Sequence, residues 1–572
     1  MKRTSRVLAI LLALAMLLSV TAFAAWDVYG GNANHNSVVT GAPTSANPSV
    51  TAIDLSNGGR GWDGVDNVPV METVGTGDDA VTYAYVLYDG YSSYGGQLAK
   101  INCSAATPYV VWRKQVSAAS GFQLSTPYLD TTNRAIYIGA SNASVYDDVA
   151  ISNPVALTAN TAGTVTINGL TLLTAANRVS VPVYVGHTSV AARGTLTTEG
   201  TATIQLGGGT AVNLTLSTTQ SSSGTTYKIY EQATYDDDGE VNGYDYYYYI
   251  NHSVTASSLT DATLSISVTL NGTGSIKSVS MFANKGAVTK ITGIDSTDAS
   301  DLTLTSVVAE VNGQINTPIT RYGDYIYFGT WSGNNPMQYY QVDVSDTDFD
   351  TVTITGNAGF YWAGAVKLGD YIYFGGDSGN LYYRSEKNFG TTGGVVALTD
   401  TENNVKASDA GNVRSTIMTD GTNLYFTSQG KYLWCYQPDA NGVPVYQWHI
   451  QLAGTSTSTP TLVQNSDGTT SIYTGYYSGF SAGGVQVTTV SGSTRTISTV
   501  ASGFPVQCSI LYSDGYIYFN TNASGGAGYC YNASTKASVW STTADTYALG
   551  GMACDNGIIV FGNDYDHLYV VK

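Results

Sequence analysis

Gly323-Asp324-Tyr325-Ile326-Tyr327-Phe328-Gly329 returns almost unchanged as Gly369-Asp370-Tyr371-Ile372-Tyr373-Phe374-Gly375. Residues 514–520 are a looser copy, and 133–139, 421–427 and 556–562 keep the same grammar. Each copy is a polar turn, then a β-branched and aromatic run, then usually a small residue. That pattern is a strand leaving a tight turn. Recurrence at intervals of about 45 to 50 residues marks an array of like units.

Working outward from these strands, each unit opens on a first strand carrying Thr-Pro or a near equivalent. The openings are Val68-Pro69-Val70, Ser125-Thr126-Pro127, Asn316-Thr317-Pro318, Trp362-Ala363-Gly364-Ala365, Arg414-Ser415-Thr416, Ser458-Thr459-Pro460, Gln507-Cys508-Ser509 and Gly550-Gly551-Met552. A third strand of the type Leu-Tyr and a fourth often ending in Trp complete the unit. The last unit stops at His567-Leu568-Tyr569-Val570-Val571, one strand short. A closed array leaves no open sheet edge, and Ser49-Val50-Thr51-Ala52-Ile53 is the segment able to fill the gap. The sequence therefore predicts an all-β chain, an eight-bladed β-propeller closed by its N-terminal strand, with seven blades as the alternative count. The step from Pro127 to Pro318 is too long for one unit. Residues 145–286 occupy it, with alternating runs such as Ala202-Thr203-Ile204-Gln205-Leu206 and Leu264-Ser265-Ile266-Ser267-Val268 between Asn-Gly turns. They read as a separate β-sandwich of immunoglobulin-like type, inserted in a hairpin of the second blade. The organisation expected is a leader at 1–24, propeller at 25–144, the inserted sandwich at 145–286, and the remaining blades at 287–572.

The opening Trp26-Asp27-Val28-Tyr29-Gly30-Gly31-Asn32-Ala33-Asn34-His35-Asn36, together with nearly all the repeats, resembles the quinoprotein alcohol dehydrogenase-like (PQQ-like repeat) β-propeller superfamily. That superfamily includes quinone-dependent alcohol dehydrogenases and the propeller subunit of the outer-membrane assembly machinery. The resemblance does not reach residues 145–286. For a dehydrogenase it implies adjacent cysteines, an acidic base, calcium ligands, and repeated Ala-x-Asp-x-x-Thr-Gly-x-x-x-Trp docking motifs. No two cysteines are adjacent here and the docking motif is missing from the blade ends. The resemblance thus implies a non-catalytic member, with PQQ not expected as a cofactor. Patterns for serine hydrolases, zinc peptidases and phosphate loops are missing too.

Charged residues make up only 12% of the chain, and Gly (63) and Tyr (44) are heavily used, which suits a turn-rich β protein. The formal charge is −18, and three positive charges lie in the leader. Such a chain repels phosphate backbones and anionic lipid heads, so no nucleic acid partner is expected. Lys2, Arg3 and Arg6 precede an apolar run from Val7 to Val20, and Ala22-Phe23-Ala24 then offers small residues for cleavage. This is a secretory leader, too short for a transmembrane anchor. The expected location is extracellular or at the cell surface, without membrane insertion after cleavage. The five cysteines show no metal spacing and read as buried thiols.

Two stretches are candidate sites. Asp236, Asp238, Glu240 and Asn242 form the densest acidic run and offer oxygen ligands for Ca2+, although the calcium-loop template fails at Tyr249 and a solvated hairpin turn is the simpler reading. Tyr246, Tyr247, Tyr248 and Tyr249 form one strand with rings on both faces, able to stack on sugars or aromatic partners. Asp564-Tyr565-Asp566-His567 reads as the turn before the last strand. The function expected is binding of an extracellular glycan, a cell-wall component or a surface protein. The alternatives are an extracellular enzyme (a sugar or alcohol dehydrogenase, or a polysaccharide-active enzyme) and a scaffold of a surface assembly.

Overall fold

In the computed structural model the tyrosine-rich repeat is the second strand of successive four-stranded antiparallel sheets. The structure describes residues 25–572 except 57–63, 91–94, 118–122, 146–148, 150, 173–174, 219–226, 237, 332–336, 357, 401–402 and 404. The leader falls outside the described residues. Unit four shows the plan: Val366–Leu368, Tyr371–Gly376, Asn380–Ser385 and Gly393–Ala397 pair in chain order. Period-two alternation puts Tyr373 and Ile372 on opposite faces, and both are buried because each face meets a neighbouring sheet. The Phe374 ring stacks on Tyr339 of unit three at 3.7 Å between centroids. Such contacts between sheets, rather than within them, are the core.

The last unit pairs Ala553–Asp555, Ile558–Gly562 and His567–Val571, and its fourth strand is Val50–Asp54, antiparallel to His567–Val571. The chain between Trp26 and Val39 explains how the sheets are arranged. Trp26 O accepts from Met71 N and Asp27 O from Leu129 N, each at 2.8 Å. Ala33 O accepts from Tyr322 Oη at 2.8 Å, and His35 Nε2 lies 2.8 Å from Ala365 O. Asn34 O accepts from Thr419 N, Asn36 exchanges two hydrogen bonds with Leu462, and Val38–Val39 pairs in parallel with Leu511–Ser513. One short segment thus meets successive units at or beside their first strands before its continuation joins the last unit. That is geometrically feasible only if the first strands ring a common axis, which is the β-propeller arrangement. The Trp26-to-His35 opening is the plug of that ring, with His35 fully buried.

Unit two departs from the others. Ala135–Val145 pairs with Ser280–Thr292 along its whole length, and Val145 and Ser280 stand at the far end of this hairpin, where the insertion joins it. Gly163–Leu170, Gly200–Leu206, Val212–Leu216 and Ala262–Leu270 form one sheet there. Opposite it, Ala176–Ser189, Tyr227–Tyr235 and Val241–Thr255 form another, joined edge-on to Ser280–Thr292. The inserted sheet is therefore continuous with the blade. Val181, Val183, Ile204, Ile266 and Tyr248 fill the space between the two sheets. All five cysteines are free thiols and buried.

Candidate binding site at the propeller funnel

The links that lead from one unit's fourth strand into the next unit's first strand line the channel. Their Ser and Thr hydroxyls bond backbone of a neighbouring unit: Ser125 Oγ donates forward to Thr317 O at 2.7 Å, Thr416 Oγ1 back to Trp362 O at 3.1 Å, and Thr457 Oγ1 forward to Gln507 O at 3.0 Å. This girdle satisfies buried polar groups and holds the channel wall in register.

The wall encloses a funnel. Its mouth is a cavity of about 510 Å³ that includes Tyr361, Trp362, Arg414, Phe480, Tyr547 and Asp564 in its lining. A neck of about 30 Å³ adjoins it and reaches Tyr29 and Asn67. Asp66, Trp362, Thr457, Gln507 and Leu549 line both. Below the neck, Tyr29 belongs to the N-terminal plug, and its hydroxyl meets Thr459 Oγ1 at 3.2 Å. Burial pushes its pKa up.

Aromatic rings dominate the mouth. Tyr361 and Trp362 lie 4.7 Å apart, and Phe480, 62% exposed on a hairpin tip, meets Tyr547 edge-on at 5.6 Å. Trp362 has φ +54°, a left-handed conformation costly for a bulky side chain. Its carbonyl is pinned by Gly364 N at 2.8 Å and by Thr416, so neighbouring contacts hold the strain. The Arg414 guanidinium sits 4.7 Å over the Tyr361 ring and donates to both oxygens of Asp377, at 2.9 and 2.8 Å. Its charge is therefore already matched. Asp564 and Asp66 face each other; desolvation raises the Asp564 pKa from 3.8 to about 6, partly offset by the hydrogen bond with Asp66.

A folded-state pKa above the unfolded value stabilises the protein fully below pH 3.8 and loses that contribution as pH rises through 6. After discounting for the carboxyl's contact with solvent, the loss is about 1–2 kcal/mol. Asp564→Asn is expected to be more stable than the wild type by that amount at pH 7 and equal to it at pH 4. Chemical denaturation of both proteins at the two pH values checks this.

The acidic run lies elsewhere, at the turn joining Tyr227–Tyr235 to Val241–Thr255. Asp236 Oδ1 accepts from the backbone N–H of Asp238 at 3.1 Å and of Glu240 at 2.9 Å, and Asn242 Oδ1 accepts from Thr234 Oγ1 at 2.8 Å. Two of the four oxygen groups are thus already engaged in holding the hairpin. Among the described residues no group of three or more His, Cys, Asp or Glu side chains converges for a metal ion; Asp237 lies outside them.

The tyrosine run divides by face. Tyr246 and Tyr248 are buried, the first donating to Glu231 Oε2 at 2.7 Å and the second to Thr198 O at 2.8 Å. Tyr247 points outward between Tyr184 at 5.5 Å and Tyr230 at 6.3 Å, a cross-strand row of three rings, with Tyr249 exposed beside it. Strand alternation thus assigns two of the four rings to packing and leaves two for contact.

Sequence reading missed the funnel residues. The sequence marks Asp564 only as part of a turn, and Trp362 only as the start of a unit. The available signal was the aromatic residues in links, Tyr361-Trp362, Phe480 and Tyr547, where turn chemistry favours Gly, Asn, Asp and Ser.

No family model matches the chain, and no curated protein matches it. Solved structures do align. BamB from Moraxella catarrhalis does so at 14% identity and TM-score 0.32, over 46% of this chain and 87% of that one. A europium-containing methanol dehydrogenase aligns at 9% identity and TM-score 0.44, over 97% and 90%. The WD40 β-propeller domain of Doa1 aligns at 13% identity and TM-score 0.34, over 51% and 88%. All three scores are below 0.5; the propeller assignment stands on the sheet order and the ring of first strands. A quinone bearing several carboxylates needs cationic partners. Among the described residues that line the funnel, the charged ones are Asp66, Asp564 and an arginine already paired with Asp377, a set that does not suit that group.

Proposed function

We propose that this chain is a secreted or cell-surface binding protein that takes a glycan or cell-wall saccharide at its funnel. The reading includes an eight-bladed count, an immunoglobulin-like insertion near residues 145–286, and a non-catalytic place among quinoprotein-like propellers. It includes export through cleavage of the leader at 1–24, no nucleic acid partner and no membrane insertion of the mature chain. The observation that carries it is the lining of the mouth. Exposed or half-exposed rings give flat apolar faces for sugar C–H groups, and Gln429, Gln507, Asn522, Asp66 and Asp564 give hydrogen-bonding groups around them. A cavity of about 510 Å³ has room for a short saccharide.

Retention of the mature protein on immobilised cell-wall and plant polysaccharides tests the reading. Phe480→Ala is expected to weaken retention about tenfold, since loss of one stacked ring costs roughly 1–2 kcal/mol. Phe480 is exposed, so the fold should survive. The row Tyr184, Tyr247 and Tyr230 supports a second reading, with recognition on the insertion's outer face. Retention unchanged in Phe480→Ala but lost in Tyr247→Ala moves the site there. No retention on any polysaccharide removes the glycan reading and turns the search to protein partners or a scaffold role.

A further inference from the structure

We infer that the outer strand of the insertion, Tyr227–Tyr235, is a self-pairing edge. Two copies of this chain join there, antiparallel, about a two-fold axis at Tyr230. The strand pairs with Val241–Thr255 on one side only. Among the described residues its other side meets no strand, and no backbone group of another element bonds to it. A free edge of nine residues presents unpaired N–H and C=O groups, a template for another strand. Chains that keep such an edge apart use prolines, several lysines or a bulge in its course. This strand has one lysine, no proline, and an irregularity only at its end, between Thr234 and Tyr235. Pairing at this edge is independent of what the funnel holds.

The outward face shows why the occupant is a second copy. Opposed residues of neighbouring strands share a face. Three rows therefore run outward to this edge: Pro182, Tyr249 and Lys228; Tyr184, Tyr247 and Tyr230; His187, Asp245 and Gln232. Tyr230, 55% exposed, stands where the aromatic row runs out. A two-fold axis normal to the sheet keeps this face outward in both copies. With the axis at Tyr230, this residue opposes itself and the aromatic row runs on as six rings. Lys228 then opposes the second copy's Gln232, with the second copy's Asp245 next in the same row. Lys228 is exposed and, among the described residues, has no hydrogen bond or ion pair. Asp245 lies two strands across the seam, about 10 Å between backbones, a gap that a lysine and an aspartate span together. The axis makes that ion pair twice, which answers locally the repulsion between two chains of formal charge −18. An axis at Glu231 would oppose two carboxylates, and one at Ile229 would set Lys228 against Tyr230 with no ion pair. An axis at Gln232 would set Lys228 against Asp236, whose Oδ1 already holds the turn, and would break the aromatic row.

Sedimentation velocity of the whole mature protein over a rising concentration series tests the pairing. A dimer fraction that grows with concentration is expected. Tyr230→Glu sets two carboxylates against each other on the axis and is expected to leave only monomer. Tyr230 points outward, and an unchanged thermal melt shows that this variant keeps the fold. Lys228→Glu and Asp245→Lys are each expected to weaken the dimer about tenfold. Combined, with the two charges exchanged, they are expected to regain most of that loss. A wild type that stays monomeric throughout the series overturns the proposal. So does a dimer that Tyr230→Glu leaves intact, because the contact then lies elsewhere. A dimer that Tyr230→Glu abolishes but the exchanged pair fails to recover overturns the axis at Tyr230.

Discussion

A chain shortened to begin at Leu55 is expected to lose cooperative folding. Two losses coincide. Val50–Asp54 leaves the last sheet, exposing the whole hydrogen-bonding edge of His567–Val571, whose residues are almost all buried. The plug also leaves, and with it Trp26, 1% exposed, and His35, which lies between Tyr29 O and Ala365 O at 2.7 and 2.8 Å. Loss of one buried tryptophan alone costs about 3–5 kcal/mol, and a domain's whole stability is about 5–15 kcal/mol. The shortened chain should therefore melt without a sharp transition and self-associate through its open edge. Circular dichroism melts and size-exclusion chromatography read both effects. A peptide spanning residues 25–55, added in trans, should restore part of the transition. A shortened chain that melts as sharply as the full one would show that the ring closes without the segment. The plug also has a pH signature. Burial lowers the His35 pKa below 6.5, so its contribution is complete above pH 6.5 and is lost as pH falls through the folded value.

How far the sequence carried this reading depends on where each residue sits. Strand pattern is local: Tyr325-Ile326-Tyr327-Phe328 states its own alternation and its own turn, and repetition multiplies the signal. The gap in the last unit was legible because a propeller needs a closed edge, and Val50–Asp54 does pair there. The funnel is different. Asp66, Trp362, Phe480 and Asp564 are separated by as many as about 500 residues of chain and meet only because the links converge on one axis. No periodicity records that meeting. The same holds for the opening motif. Its spacing pointed to a superfamily, while its physical work, contacts at or beside successive first strands, depends on the ring being closed. The insertion was visible as a break in rhythm. That it continues the sheet of unit two was not, because Arg178↔Phe282 and Val179↔Met281 pair across about 100 residues.

Arg134→Met is expected to destabilise the protein by about 3–5 kcal/mol. Arg134 stands in the turn before Ala135–Val145 in unit two, with φ +52°. Its Nη1 and Nη2 donate to the two oxygens of Glu72 in unit one, at 2.6 and 2.8 Å, and its Nε donates to Asp295 at 3.1 Å. Glu72 is only 4% exposed. Tyr85 Oη also donates to it at 2.8 Å, while Lys100 is spent on Ile294 O at 2.7 Å. Without the guanidinium, a buried carboxylate keeps one hydroxyl donor and no adjacent ion pair. The penalty therefore comes from the charge left behind, more than from the lost attraction. That distinction makes the second measurement decisive. Glu72→Gln removes the stranded charge and keeps an acceptor for Tyr85, so Glu72→Gln combined with Arg134→Met should regain at least half of the lost stability. Denaturant titration of the two single variants and the double variant closes the cycle. If the double variant is as unstable as the sum of the singles, the two residues act independently, and the seam between units one and two is held by packing of Trp112, Leu129 and Ile291 instead of by this ion pair.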